Sequence, residues 1–528
     1  MRLSRRSLLA RGGAGAAGAA LLGSAAAPRP ARAELGADVV KNALLVVLPL
    51  VRASHVGAFE GGSPADTPNL DDLAGESLRF DRAIPESMPA VSARRVLVTG
   101  MRAFPFRDWR ATPGLPAIPG YNGVYDHQPL MTEVMRASEV NTLYLTDNPL
   151  FEGERFPDVK PTRGPTARGG PTRPGIQEDL LPSINRATEA AERTMRAAMD
   201  ELKGLRGDAP FFLAVDPFDA QDAYEVPNVY VKPGEVEKEG VGPMSGRLVE
   251  LRFSDGDVDR VRERYVKHVE TVDEWLGRLI DAVGDAGLLD DTAIFVLGDH
   301  GIALGEHDYL GKAAPTSHRE SYEIPYLIRH PKGDEGGNDV DWYASTHDVA
   351  PTLLSFLGLP IPGKMEGEDL TALFDDVDED DLPERSMFVT CVASNIIVRN
   401  ERFLMVGDRE QIERRLYDDD EEADDDDKRY DDVANDEPGV LTDLSLFAVG
   451  VAGGTLPEFG PEGALRPRPA REDDDLDDDG IPNDFDSVDN DEPADGTEPE
   501  DLEFDGLHPQ AKPGASKPKP ARPKADAK

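Results

Sequence analysis

Five short apolar runs constrain the fold of this chain more than any other feature: Ala43–Leu48 (ALLVVL), Thr142–Thr146 (TLYLT), Phe211–Val215 (FFLAV), Ala293–Leu297 (AIFVL) and Pro325–Ile328 (PYLI). Each is bounded by turn or polar residues, as parallel strands buried on both faces are. Such strands need helices on both sides of their sheet, and helical segments do lie between them, most clearly Ile184–Leu205 and Val258–Val283. In the second, Val258, Val261, Tyr265, Val269, Val272, Leu276, Leu279 and Val283 recur at spacings of three and four and form one apolar stripe. The alternation predicts an α/β sandwich with a mainly parallel central sheet flanked by helices, over residues 38–375. Residues 386–407 (SMFVTCVASNIIVRNERFLMVG) read as two or three strands of a small C-terminal β-containing subdomain, 376–450. The lone cysteine, Cys391, lies in that apolar pattern and reads as a core residue; with one cysteine no intrachain disulfide can form.

Several segments carry chemistry, and they occur in a consistent order. NALLVVLPLVRASHVGAFEGG opens the series, followed by TPNLDDLAGESLRFDRAIPESMPAVSARRVLVTG. Further on come VDPFDAQDAY, then DDTAIFVLGDHGIALGEHDYLGK, and finally IPYLIRHP, STHDVAPTLLSFLG and LYD…DDVAND. Together these resemble the sulfatase family of the alkaline phosphatase superfamily, from about residue 40 to 450. The resemblance implies the family's fold, sulfuric ester hydrolysis, a calcium ion held by carboxylate oxygens, and a formylglycine nucleophile made from Cys or Ser. Arg, Lys and His would neutralise the transferring oxyanion and protonate the leaving group.

Carried over residue by residue, the resemblance also implies losses. The family's first-strand acidic pair falls on Pro49 and Leu50, neither of which has a side-chain donor atom for calcium. The nucleophile position falls on Ala90, whose methyl group cannot become an aldehyde, and the Pro and Ser of the C/S-x-P-S-R motif fall on Ser92 and Ala93. In VDPFDAQDAY, Gln221 takes the place of a family His. Arg94, Asp299, His300 and Lys312 are retained. Asp299 and His300 fall well short of the roughly six to eight oxygens that calcium takes, so they read as metal-site remnants in a strand-end turn, and no core calcium is expected. Arg94 and Lys312 could form an anion pocket for a sulfate or phosphate group, or each could pair with a nearby acid. No GxSxG elbow, HExxH or P-loop offers a rival catalytic motif.

Three readings stay open at this point. One is a degenerate sulfatase that has lost hydrolysis and still binds a sulfated or phosphorylated ligand, a surface glycan included. The second is an active sulfatase or phosphoesterase-type hydrolase built on Ser92, His300 and Lys312. The third is a cell-surface scaffold or adhesion protein that works through its tail.

The ends of the chain have their own signatures. Residues 1–33 carry Arg5 and Arg6 in SRRSLLA, an Ala/Gly/Leu run and the small-x-small site Ala31-Arg32-Ala33, the pattern of a twin-arginine signal peptide. The expectation is export to a periplasm, the medium or the cell surface, with no transmembrane anchor after cleavage. The formal net charge is -45, which disfavours nucleic acid as a partner. Much of the acidity sits in two blocks: residues 418–437 hold 13 acids against two bases, and residues 472–505 hold 18 acids and no base. Such runs repel themselves and read as solvated chain. Within the tail 451–528, DLDDDGIPNDFD resembles a thrombospondin-type calcium repeat. On a twelve-residue loop, Asp475, Asp477, Asp479, Asn483 and Asp486 would offer side chains, Ile481 its carbonyl, and Gly480 the sharp turn.

Overall fold

The computed structural model describes residues 39–454, apart from 89, 107–108, 110–121, 163–175, 206–208, 219–229, 232–248, 251–254, 307–308, 313–318, 375–384, 393–394, 408–413 and 419–431. The signal-like segment, Gln221, the middle of the first acidic block and the tail loop 475–486 lie outside the described residues.

The strands in chain order are β1 (Asn42–Leu48), β2 (Leu78–Ile84), β3 (Ser87–Met88), β4 (Asn141–Thr146), β5 (Val159–Pro161), β6 (Phe211–Asp216), β7 (Tyr230–Val231), β8 (Val249–Glu250), β9 (Thr292–Gly298), β10 (Ile302–Leu304), β11 (Tyr309–Lys312), β12 (Tyr326–Arg329), β13 (Asp339–Ser345), β14 (Phe388–Val392), β15 (Asn395–Arg399), β16 (Phe403–Gly407) and β17 (Arg414–Asp418). The helices are α1 (Pro68–Ala74), α2 (Ala90–Thr99), α3 (Met131–Ala137), α4 (Ile176–Leu202), α5 (Asp255–Asp285), α6 (Val349–Phe356) and α7 (Pro438–Val451).

Eight strands form the central sheet in the order β13-β2-β12-β9-β1-β6-β4-β5. The heart of the sheet is parallel: β9, β1, β6, β4 and β5 run the same way, with Val46 opposite Val215 and Val296. The sheet as a whole is mixed, because β12 is antiparallel to both β9 and β2. This corrects the reading of Pro325–Ile328 as one more parallel strand. Burial on both faces, which the apolar run does report, is indifferent to strand direction.

Alternation along β1 assigns the two faces. Leu44, Val46 and Leu48 enter a core with Ile184, Met195, Tyr265, Val269 and Leu276 of α4 and α5 and with Leu70 of α1. Ala43, Leu45 and Val47 enter the opposite core with Leu97 of α2, Met131 of α3 and Leu353 of α6. The helix read from Ile184 begins earlier, at Ile176, and runs through Pro182 near its start.

The C-terminal sheet has the order β17-β16-β15-β14-β3. Cys391 is fully buried in β14, packed with Val389, Ile396 and Val398 and with Leu444 and Ala448 of α7. The ends of the first acidic block are hydrogen-bonded to the sheet at the protein surface. Arg402 donates to both Asp418 oxygens at 2.6–2.8 Å, and Asp432 Oδ1 accepts the Leu416 and Ala434 amides. Among the described residues no helix is long and apolar enough to cross a membrane.

Candidate functional site

The parallel strands β1, β6 and β9 end at a common edge, where α/β sheets place their ligand loops. β1 leads into Pro49 and Leu50, β6 ends on Asp216, and β9 leads into Asp299 and His300. Helix α2 begins at Ala90 and carries Arg94 on its second turn. The structure therefore brings together Pro49, Leu50, Arg94, Asp299 and His300, as the sequence requires, and adds Asp216, Tyr144 and Phe218.

Arg94 is the hub. Its side chain is 1% exposed. Nε donates to Asp216 Oδ1 at 2.9 Å, Nη1 to Asp299 Oδ2 at 2.5 Å, and Nη2 to the Pro217 carbonyl at 3.2 Å. The guanidinium also lies 5.4 Å from the centre of the Phe218 ring. Of the two outcomes open for Arg94, an anion pocket or pairing with nearby acids, the structure shows the pairing. Two buried carboxylates already face the one guanidinium, so its charge is taken up within the protein.

The two carboxylates differ although they share Arg94. Burial pushes Asp216 up, and its other side-chain partner is the Tyr144 hydroxyl, which donates at 3.0 Å. Burial pulls Asp299 the same way, but His300 and Arg94 outweigh it and hold the carboxyl at about 2. Asp299 Oδ1 in addition accepts the Leu50 and His300 amides, each at 2.8 Å. His300, which has no counterpart beside Asp216, accounts for most of the difference, and the Leu50 amide adds to it, because hydrogen bonds to the charged form favour it.

His300 is buried, with Nδ1 2.8 Å from the Gly301 carbonyl and Nε2 4.0 Å from Asp299 Oδ2; Nε2 has no hydrogen-bond partner. Gly301 has to be glycine, since a Cβ there would lie 1.8 Å from the Glu320 carbonyl oxygen.

The loop after β1 is held by hydrogen bonds from α5. Leu50 adopts a left-handed φ of 56°, its carbonyl accepts from Tyr265 Oη at 2.7 Å, and the Arg52 amide donates to the same hydroxyl at 3.1 Å. His268 Nε2 lies 2.8 Å from the Pro49 carbonyl, while its Nδ1 bonds Thr188 Oγ1. Arg52 then ties the loop to the β10 hairpin, donating to the Ile302 carbonyl, Glu306 Oε1 and His55 Nδ1. Burial, with Arg52 beside it, lowers the His55 pKa to about 3, so its ring is neutral and can accept that bond.

These residues do not fit calcium. Pro49 and Leu50 give no side-chain oxygen, and both Asp299 oxygens already accept N–H donors. Among the described residues no group of three or more His, Cys, Asp or Glu side chains could hold a metal ion. Ala90, where the resemblance implies the family's nucleophile, is buried and packs with Val91 and Phe218 in a small apolar cluster. Ser92 is buried at the third position of α2. Lys312 ends β11 with its backbone opposite Ile302, and its side chain lies outside the described residues.

Sequence reasoning missed Asp216 and Phe218, although VDPFDAQDAY contains both. Read without a gap, the D-P-H pattern puts Phe218 rather than Gln221 third, and the structure seats that ring against Arg94.

A family model described as Sulfatase matches residues 41–359, and one described as N-sulphoglucosamine sulphohydrolase, C-terminal, matches 305–437. The chain is 26% identical over 395 residues to the multifunctional alkaline phosphatase superfamily protein PehA of Trinickia caryophylli, covering 62% of this chain and 76% of that one. It is 24% identical over 388 residues to the iduronate 2-sulfatase of Homo sapiens, covering 63% and 67%. Among solved structures it resembles the phosphonate monoester hydrolase of Agrobacterium radiobacter, with a TM-score of 0.56 at 19% identity, covering 81% of this chain and 100% of that one. It also resembles a protein solved with its substrate D-glucosamine-2-N,6-O-disulfate, with a TM-score of 0.57 at 15% identity, covering 79% and 98%.

Proposed function

The chain belongs to the sulfatase family, and from that premise we propose that it is an exported member that has kept the fold, has lost ester hydrolysis, and holds a sulfated or phosphorylated ligand. The observation that carries this reading is Ala90. By the resemblance, a methyl group stands where the family's nucleophile is made, and it packs with Val91 and Phe218. No proton transfer or metal can make a nucleophile of it. The test is turnover of aryl sulfates, phosphates and phosphonates by the purified protein, with and without calcium or manganese. No rate above that of His300→Ala is expected, and a rate above it sinks the proposal. The control is chosen because the competing reading, an active hydrolase using Ser92, His300 and Lys312, has the unpartnered Nε2 of His300 in its favour.

Ligand binding is assigned to Lys312, because the charge of Arg94 is taken up by Asp216 and Asp299. D-glucosamine-2-N,6-O-disulfate, the substrate of one structural relative, and inorganic phosphate are suitable calorimetric probes. Lys312→Ala should weaken whichever of them binds. Export rests on the residue 1–33 pattern, and Arg5→Lys with Arg6→Lys should retain the precursor inside the cell. The third reading rests on DLDDDGIPNDFD: the tail takes calcium through Asp475, Asp477, Asp479, Ile481, Asn483 and Asp486 and helps hold the protein at the surface. Deleting residues 472–528 should then lower both calcium content and surface retention, and leaving both unchanged rules it out.

A further inference from the structure

We infer that the Arg94 guanidinium is the built-in cation of this centre, standing structurally where the fold family places a metal ion. Three observations converge on it.

First, the donor set is complementary to a guanidinium and not to an ion. Arg94 reaches Asp216 with Nε and Asp299 with Nη1, while Nη2 meets the Pro217 carbonyl. Its in-plane N–H groups are thus spread over the ends of two strands, β6 and β9, a fork geometry that a spherical cation does not need. Second, the loop a metal would anchor is anchored otherwise. The Pro49 carbonyl is bonded by His268, the Leu50 carbonyl by Tyr265, and the Leu50 amide by Asp299. A carboxylate at position 49 or 50 would need a cation to offset its burial; Pro and Leu need none. Third, the guanidinium and both carboxylates are almost wholly buried, at 1%, 0% and 4% exposure. A metal ion at Asp299 would have to displace the guanidinium or sit beside a like charge in a site with little water to screen it.

The ends of β6 and β9 are thereby locked together by a cation that is part of the chain, and Asp299 carries the tie on to the loop after β1. It cannot be lost to a chelator or to a calcium-poor medium. The inference concerns the scaffold of the site and stands whether or not hydrolysis has been lost.

The test uses the full chain, with metal content by mass spectrometry and thermal unfolding as readouts. Metal content should be equal in the wild type and in Asp299→Asn, because any tail calcium is untouched by that change. A chelator should leave the main unfolding transition unmoved. Arg94→Met should lower the midpoint sharply. The combination of Arg94→Met with Asp216→Asn and Asp299→Asn, which removes the stranded charges as well, should recover a substantial part of the loss. One equivalent of metal that disappears in Asp299→Asn overturns the inference. So does an Arg94→Met protein as stable as the wild type, or a triple variant no better than Arg94→Met alone. If Arg94→Met does not fold, the metal comparison still decides.

Discussion

Glu86 offers the sharpest test of the electrostatics of this fold. It lies between β2 and β3 and is fully buried. Its Oε2 accepts the Ala103 amide at 2.8 Å and its Oε1 the Phe104 amide at 3.4 Å. Burial pushes its pKa up from 4.5 to about 8; Arg102, the Ala103 amide and Arg95 oppose that rise, and Glu366 adds to it. The folded-state value lies above the unfolded one. Between pH 4.5 and 8 the native protein therefore keeps a proton that the unfolded chain has released, and stability falls as pH rises. The slope is about 1.4 kcal/mol per pH unit, on the order of 5 kcal/mol across the window. Below pH 4.5 the contribution is complete, and above 8 it is gone. Glu86→Gln keeps a carbonyl acceptor for the two amides and removes the titration. Urea unfolding of both proteins at pH 5, 6, 7, 8 and 9 should show the variant gaining on the wild type at each step up to pH 8 and levelling off after it. Parallel stability curves would refute the reasoning, because they would mean that Glu86 ionises in the native state as easily as in water.

Further perturbations have expected outcomes of the same kind. Arg385→Met strips the fully buried Asp348 of a partner bonded at 2.6 and 3.0 Å, and should cost about 3–5 kcal/mol in denaturant titration. Asp348, held at about 2 against burial by Arg385 and His347, contributes stability that is present above pH 3.8 and lost as pH falls towards 2, so the acid limb of the stability curve should flatten in that variant. Leu213→Ala, in the middle of β6 and 0% exposed, should cost about 2–5 kcal/mol with an unchanged denaturant slope. Raising sodium chloride from about 0.1 to 1 M shortens the screening length from about 10 to 3 Å, so a chain of net charge -45 should melt at a higher temperature. A midpoint that falls with salt would contradict this.

The fold was legible where physics writes it plainly. β1, β4, β6 and β9 are buried on both faces, so their sequences are nearly continuous apolar runs. β2 (LRFDRAI) and β13 (DVDWYAS) escaped notice because they mix charged and apolar residues, β13 being the edge strand and β2 its neighbour. The stripe of α5 was read from Val258 to Val283, and from Val261 onwards its members are buried. At the site, motif order was enough to expect Pro49, Leu50, Arg94, Asp299 and His300 near one another, and the structure places them at one edge of the sheet. What Arg94 does with its charge could not be read. Its partners Asp216 and Asp299 lie 122 and 205 residues away, and only the sheet brings them within hydrogen-bond reach.

The two residues of β3 carry a kinetic consequence. Ser87 and Met88 pair with Cys391 and Val392, and the Cys391 thiol donates to the Ser87 hydroxyl across 304 residues of chain. This seam lies immediately ahead of α2, the helix that bears Arg94. Until β14 has been synthesised and docked, β3 has no partner and the start of α2 is tethered on one side alone. Contacts of such sequence separation form late, since the chain must close a long loop before it gains anything from them. A nascent chain that has emerged only as far as residue 375 therefore lacks the seam.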